Sequence, residues 1–145
     1  MKLLNIAAYR FVRLDGLPQL RDGIRAHCKS LGLKGTVLIA GEGINLFLAG
    51  AAPEIESFLD ALRADARFSA IEVKRSWSAT QPFKRLLVKI KREIVSMRRP
   101  EIDPLRAPAP RLAPQELKRW LDQGRDIVLL DTRNQFEVEL GSFEN

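Results

Sequence analysis

The order in which two hydrophobic periods alternate along residues 3–91 restricts this chain more than any other feature. Residues 3–12 are apolar, with Tyr9 and Phe11 on one parity and Arg10 on the other, the pattern of a strand. Leu17, Leu20, Ile24, Cys28 and Leu31 then recur at spacings of three and four, with Pro18 in the first turn and Gly32 placed to end a helix. Two short runs follow, Gly35-Thr36-Val37-Leu38-Ile39-Ala40 and Ile44-Asn45-Leu46-Phe47-Leu48-Ala49-Gly50, joined by Gly41-Glu42-Gly43 as a β-hairpin. A second helix opens at Pro53, with Glu54 and Glu56 where the macrodipole favours carboxylates, and carries the stripe Ile55, Phe58, Leu59, Leu62 and Ala66. Ile71, Val73 and Trp77 alternate with polar residues in another strand. In the last strand Leu86, Val88 and Ile90 face the core, opposite Arg85, Leu87, Lys89 and Lys91. The order β-α-β-β-α-β with a final strand attached is the split βαβ, ferredoxin-like α+β arrangement, in which two helices cover one face of an antiparallel sheet.

The texture changes after residue 96. Pro100, Pro104, Pro108, Pro110 and Pro114 disfavour helix interiors and central strands, so residues 97–112 read as a linker behind a first domain of residues 1–96. Residues 114–124 then read as a helix with Leu117, Trp120 and Leu121 on one side. Asp126-Ile127-Val128-Leu129-Leu130-Asp131 has the continuous apolar run of a central parallel strand. One helix and one parallel strand cannot close a core, so residues 113–145 are expected to be an incomplete piece of a second, α/β domain.

The chain holds 24 Lys and Arg against 18 Asp and Glu. The excess concentrates in residues 74–99, where Lys74, Arg75, Lys84, Arg85, Lys89, Lys91, Arg92, Arg98 and Arg99 are opposed only by Glu93. Such a cluster is the footprint of a polyanion, most often nucleic acid, and a basic surface serving solubility accounts for the charge equally well. Lys74, Arg75, Lys84, Arg85, Lys89, Lys91 and Arg92 are the candidate RNA-binding residues.

Other chemistries are poorly served. The single Cys28 and single His27 provide neither a disulfide framework nor a Cys/His zinc site, and no other metal site suggests itself. Cys28 lies on a helix stripe and reads as a buried core thiol; His27, one position off that stripe, reads as ordinary surface. No signal peptide or membrane-length apolar stretch of roughly 18 residues occurs, which points to a cytoplasmic protein without a membrane partner. Walker loop, dinucleotide fingerprint and nucleophile elbow are all missing. Gly41-Glu42-Gly43-Ile44-Asn45 would display Glu42 and Asn45 at a loop tip, although its residue types also suit a plain turn. Asp131, Arg133 and Glu137 lie past the carboxyl end of the presumed parallel strand, where an Arg133–Glu137 pair would shape a loop with no nucleophile at hand.

Three motifs in order carry a resemblance. Gly35-Thr36-Val37-Leu38-Ile39-Ala40 with Glu42-Gly43-Ile44-Asn45, then Pro82-Phe83-Lys84-Arg85-Leu86 running through Val88-Lys89-Ile90-Lys91-Arg92-Glu93-Ile94-Val95, then Leu130-Asp131-Thr132-Arg133 with Phe136-Glu137-Val138-Glu139-Leu140-Gly141 resemble the rhodanese-like tRNA uridine hydroxylase family. The resemblance implies an acylphosphatase-like, ferredoxin-fold N-terminal domain followed by a rhodanese domain. It also implies oxygen-dependent conversion of the tRNA wobble uridine to 5-hydroxyuridine, with molecular oxygen as co-substrate and no cofactor held by this chain. Asp131, Arg133 and Glu137 would then be structural residues at the opening of the rhodanese domain, with the catalytic cysteine loop beyond Asn145. No catalytic residue falls within this chain, and Cys28 matches no catalytic position. The implied partners are tRNA and the remainder of the rhodanese domain. One departure stands out: the family usually continues the Glu42-Gly43-Ile44-Asn45 motif with a Gly-Thr pair, and Leu46-Phe47 stand here. Two other readings are a rhodanese-type sulfurtransferase fragment and a stand-alone RNA-binding module using the open sheet face. The latter is weakened because Leu46-Phe47-Leu48 lacks the aromatic pattern of such modules.

Overall fold

The computed structural model describes residues 2–95, 98–99, 101–106 and 109–143, so Met97, Pro100, Ala107 and Pro108 of the proline-rich stretch lie outside the described residues. The chain divides into two compact units, Met1–Pro108 and Ala109–Asn145.

The first unit contains β1 (Leu3–Phe11), α1 (Leu17–Ser30), β2 (Lys34–Ala40), β3 (Gly43–Gly50), α2 (Ala52–Ala64), a short 3-10 turn (Ala66–Phe68), β4 (Val73–Ser78) and β5 (Leu86–Ile90). Its sheet has the strand order β4-β1-β3-β2-β5. β1 to β4 form the antiparallel ferredoxin-like core, and β5 joins the β2 edge in parallel, which makes the five-stranded sheet mixed. β4 and β5 therefore sit at opposite edges. Four inter-strand steps of about 4.8 Å separate them, roughly 19 Å in all. The seven residues 79–85 reach roughly 23 Å when extended, so the connection has little slack. It is tied at the sheet's end by Gln81, whose Nε2 donates to the Ala49 carbonyl at 3.2 Å while its Oε1 accepts from the Phe83 amide.

Both helices lie on one face because each has one apolar stripe to bury. Ile24 and Cys28 of α1 and Ile55, Phe58, Leu59 and Leu62 of α2 close over Leu4, Ile6, Val37, Ile39, Ile44, Leu46, Leu48 and Val88 from the sheet. Each large apolar side chain fully buried there contributes about 1.5–3 kcal/mol. α1 stops in a Schellman turn: Gly32 adopts φ +65°, its amide donates to the Lys29 carbonyl, and the Leu33 amide donates to the Cys28 carbonyl at 2.9 Å. Gly43 opens β3 at φ +152°, where a Cβ would lie 2.1 Å from the Arg10 carbonyl oxygen of β1, so only glycine lets those backbones meet.

Ala66 is not on the α2 stripe: the helix ends at Ala64, the Asp65 carboxylate accepts from the Arg67 amide to start the 3-10 turn, and Phe68 rather than Ala66 enters the core. Ile71 is buried but precedes β4, and Trp77, on the same parity as Val73, is 59 % exposed because β4 is an edge strand.

The second unit holds α3 (Pro114–Asp122) and α4 (Gln135–Val138). The parallel strand expected over residues 126–131 is not formed: a ladder needs a neighbouring backbone, none pairs there among the described residues, and Val128 is 94 % and Leu130 80 % exposed. No helix among the described residues is long and apolar enough to cross a membrane.

Candidate nucleic-acid interface

The sequence cluster at residues 74–99 is continuous along the chain but not in space. Lys74 and Arg75 lie on β4 at one edge of the sheet, whereas Lys89 lies on β5 at the other, with Lys84 and Arg85 leading into that strand and Lys91 and Arg92 leaving it. All seven side chains are exposed.

Their directions differ as well. Arg75 stands opposite Ile6 of β1, on the helix side, and its guanidinium is held by the Glu56 carboxylate of α2 at 2.8 Å. Lys74 stands opposite Ala7, on the face that no helix covers, and Lys89 stands opposite Leu38 on that same face. Lys34, absent from the candidates, begins β2 on the open face too. The five strands carry Arg10, Lys34, Lys74, Arg75 and Lys89 and not one carboxylate, so the positive field over the sheet is not cancelled from within it.

β5 is fastened at several points. The Gly35 amide donates to the Arg85 carbonyl and the Lys91 amide to the Ile39 carbonyl, extending the ladder at both ends. Arg25 of α1 donates from Nη2 to the Val88 carbonyl at 2.8 Å. Glu42 belongs to the same fastening. Its Oε1 accepts from the Ile94 amide at 2.6 Å, and the loop's own carbonyls accept from the Val12 and Leu14 amides. The carboxylate is therefore turned into the protein instead of displayed at a loop tip. Asn45 is not in the loop either: it lies within β3, between Tyr9 of β1 and Leu38 of β2 on the open face.

His27 and Cys28 serve the helix face. Burial drives the Cys28 thiol up from 9.0 to about 12, which keeps it protonated and inert. His27 is half-buried rather than ordinary surface. Its position seven residues beyond Leu20 brings it back to the edge of the stripe, where its ring stacks on Phe58 at 6.1 Å and helps line a cavity of about 310 Å³ between α1 and α2.

In the second unit, Asp131 and Arg133 form a fork, with Nη2 to Oδ2 at 2.6 Å and Nε to Oδ1 at 3.0 Å. The guanidinium holds the Asp131 carboxyl down at about 2. Arg133 also donates to the Glu137 and Gly141 carbonyls. The expected Arg133–Glu137 ion pair is replaced by this fork, because the Glu137 carboxylate is taken up by the Asn134 backbone and side chain in a capping box. These three residues shape a loop. Tyr9 and Phe47, the exposed aromatic side chains of the open face, are not among the sequence candidates. Parity carries part of the signal, since Tyr9 and Phe11 alternate with Arg10, whereas the β1–β3 register that sets Phe47 beside Tyr9 joins strands distant along the chain.

Residues 3–94 match the family described as UPF0176 acylphosphatase like domain. The chain is 55% identical over 148 residues to the tRNA uridine(34) hydroxylase of Variovorax paradoxus (strain S110), covering 99% of this chain and 56% of that protein. It is 53% identical over 150 residues to the protein of the same name from Cupriavidus necator, covering 100% and 53%. The chain thus spans about half the length of the curated relatives it matches. Among solved structures, the BLUF protein BlrB in its dark state superposes with a TM-score of 0.51 at 20% identity, over 61% of this chain and 71% of that one. Klebsiella pneumoniae BlrP1 gives 0.51 at 21% identity, over 63% and 24%. These likenesses concern the fold alone. A rhodanese domain is absent from this chain, since residues 109–143 hold two short helices and no sheet. The chain belongs to the UPF0176/tRNA uridine(34) hydroxylase family and carries its N-terminal, acylphosphatase-like part.

Proposed function

We propose that this chain is the tRNA-holding part of an enzyme that hydroxylates the wobble uridine of tRNA to 5-hydroxyuridine, with molecular oxygen as co-substrate and the chemistry residing in sequence that this chain lacks. The observation that carries the reading is the similarity along the whole chain to proteins named tRNA uridine(34) hydroxylase. The carboxylate-free sheet with cations at both edges supports a role in holding a polyanion. Lys84, Arg85, Lys89, Lys91 and Arg92 form the main phosphate-contacting edge, with Lys74 across the sheet. Such contacts position an RNA without reading its sequence. The loop built on Asp131, Arg133 and Glu137 opens a rhodanese domain whose remainder is the partner of this segment. With its one thiol buried, the chain alone has neither hydroxylase nor sulfurtransferase activity.

Binding of unmodified tRNA across a salt series tests this. Contact with about four to six phosphates gives a slope of log K against log salt of roughly −3 to −5 through counterion release. Replacing Arg85, Lys89 and Lys91 together by Ala lowers affinity for unrelated RNAs alike and flattens the slope. Unchanged affinity and slope in that variant would remove the β5 edge from the interface.

A further inference from the structure

The open face of the sheet carries more than charge. Tyr9 of β1 and Phe47 of β3 lie on adjoining central strands, and they are 55 % and 48 % exposed. The register puts Tyr9 opposite Asn45 and Phe47 opposite Ala7, so the two residues are diagonal neighbours with backbones about 7–8 Å apart, within reach of aromatic side chains. Phe47 is flanked across the strands by Ala7 and Thr36, short side chains that leave its ring standing clear. Tyr9 is braced edge-on by Phe11, with centroids 6.1 Å apart and planes at 71°. Adjoining aromatic rings half exposed on one sheet face mark it as an interaction surface.

The charge on this face says which kind. Lys74 borders the Phe47 row and Lys89 the Tyr9 row, and neither has an acidic partner among the described residues. Two rings for the π-faces of bases, with cations at either edge for the phosphates, match a single strand of nucleic acid. A duplex fits poorly, because it keeps its base faces stacked on each other. Asn45, beside Tyr9, can donate to and accept from the edge of a splayed base.

We infer that unpaired nucleotides of an RNA stack on Tyr9 and Phe47 while Lys74 and Lys89 take the flanking phosphates. This deepens the tRNA-holding reading and rests on it: it makes a single-stranded segment, and not only the backbone of a folded RNA, the ligand of the sheet.

The test compares a fluorescent oligouridine with a blunt-ended, fully paired RNA duplex, both titrated with the whole chain. Tyr9→Ala and Phe47→Ala are each expected to weaken oligouridine binding about 5- to 150-fold and to leave duplex binding unchanged. Tyr9→Phe and Phe47→Tyr, which keep the rings, are expected to bind like the parent. Crosslinking of a 5-iodouridine strand to the unaltered chain, mapped by mass spectrometry, should mark Tyr9 and Phe47, and needs no variant to fold. Full oligouridine affinity in a variant combining Tyr9→Ala with Phe47→Ala, equal losses for both RNAs, or crosslinks confined to other residues would overturn the inference. If the triple Arg85, Lys89 and Lys91 variant still loses affinity in that case, phosphate holding survives and base stacking alone falls. If the parent binds neither RNA, both readings fall. Dissociation of a dimer by Phe47→Ala, with oligouridine binding unmoved, would assign the face to a second copy and overturn the inference too.

Discussion

Cys28 shows how position on a helix decides the chemistry of a side chain. The Schellman turn that ends α1 uses the Cys28 carbonyl, and the thiol points into the core with no exposed surface. Desolvation disfavours the thiolate, and the folded-state value rises to about 12 from 9.0. The sign of the linkage follows: below pH 9 the thiol is protonated in both states and its contribution is fully present. As the pH rises from 9 towards 12 only the unfolded chain releases that proton, so folding stability declines. Denaturant midpoints measured across this window should fall more steeply for the parent than for Cys28→Ala, in which that slope is lost. Native labelling of Cys28 by a thiol reagent should be slow, and its rate should rise with denaturant as unfolding becomes accessible. Identical pH slopes in the two proteins would assign the alkaline loss to other groups. The same residue was legible as a core thiol from the spacing of Leu20, Ile24 and Leu31. His27 was not, because a residue at the margin of a stripe is placed by the neighbouring helix, and Phe58 cannot be seen from α1 alone.

At the scale of elements, β5 depends on contacts that come from far along the chain. It pairs with β2 on one side only, so Arg25 of α1 and Glu42 of the β2–β3 loop add fastenings of their own. A carboxylate accepting from a backbone amide contributes more than a neutral pair, about 1.5–3 kcal/mol. Replacing Glu42 by Ala should therefore speed hydrogen exchange at the Ile94 amide, leave Val37 in the centre of the sheet protected, and leave tRNA affinity unchanged. A loss of tRNA affinity with Ile94 still protected would return Glu42 to the binding site. The hairpin that contains Glu42 was readable from two apolar runs and a glycine pair, and so were both helices and the β-α-β-β-α-β order. What periodicity does not encode is partnership. Local pattern reports which residues want burial, whereas the parallel pairing of β5 follows from a seven-residue connection stretched across the sheet's end. Trp77 shares the parity of Val73, but an edge strand gives it no cover. Arg75 and Lys74 are adjacent in sequence, and the pleat sends one to Glu56 and the other to the open face.

For the whole molecule, the contrast between the two units is one of backbone satisfaction. In the first unit, Val37, Leu38 and Val88 are held in ladders with neighbours on the same sheet. In the second, Val128, Leu129 and Leu130 have the composition of a buried strand but no ladder among the described residues, and Val128 and Leu130 lie in solvent. The unit's helices bury little to offset an ordering cost of roughly 1–2 kcal/mol per residue, since α3 has no fully buried residue. Local features remain: Trp120 donates to Glu116 and stacks under Arg125, and the Asp131–Arg133 fork closes its loop. Such short-range contacts fix turns without protecting amides from exchange. Hydrogen exchange on the 145-residue chain should therefore find Val128, Leu129 and Leu130 unprotected beside strong protection at Val37, Leu38 and Val88. A run of residues as apolar as 127–130 gains its protection only when neighbouring backbones pair with it on both sides. Extending the chain by the further sequence that its curated relatives possess should bring protection to these three amides together, with little change at Val37. Protection of Val128 to Leu130 in the 145-residue chain at low concentration would mean that they pair within this sequence, and the second unit would then be a folded domain in its own right.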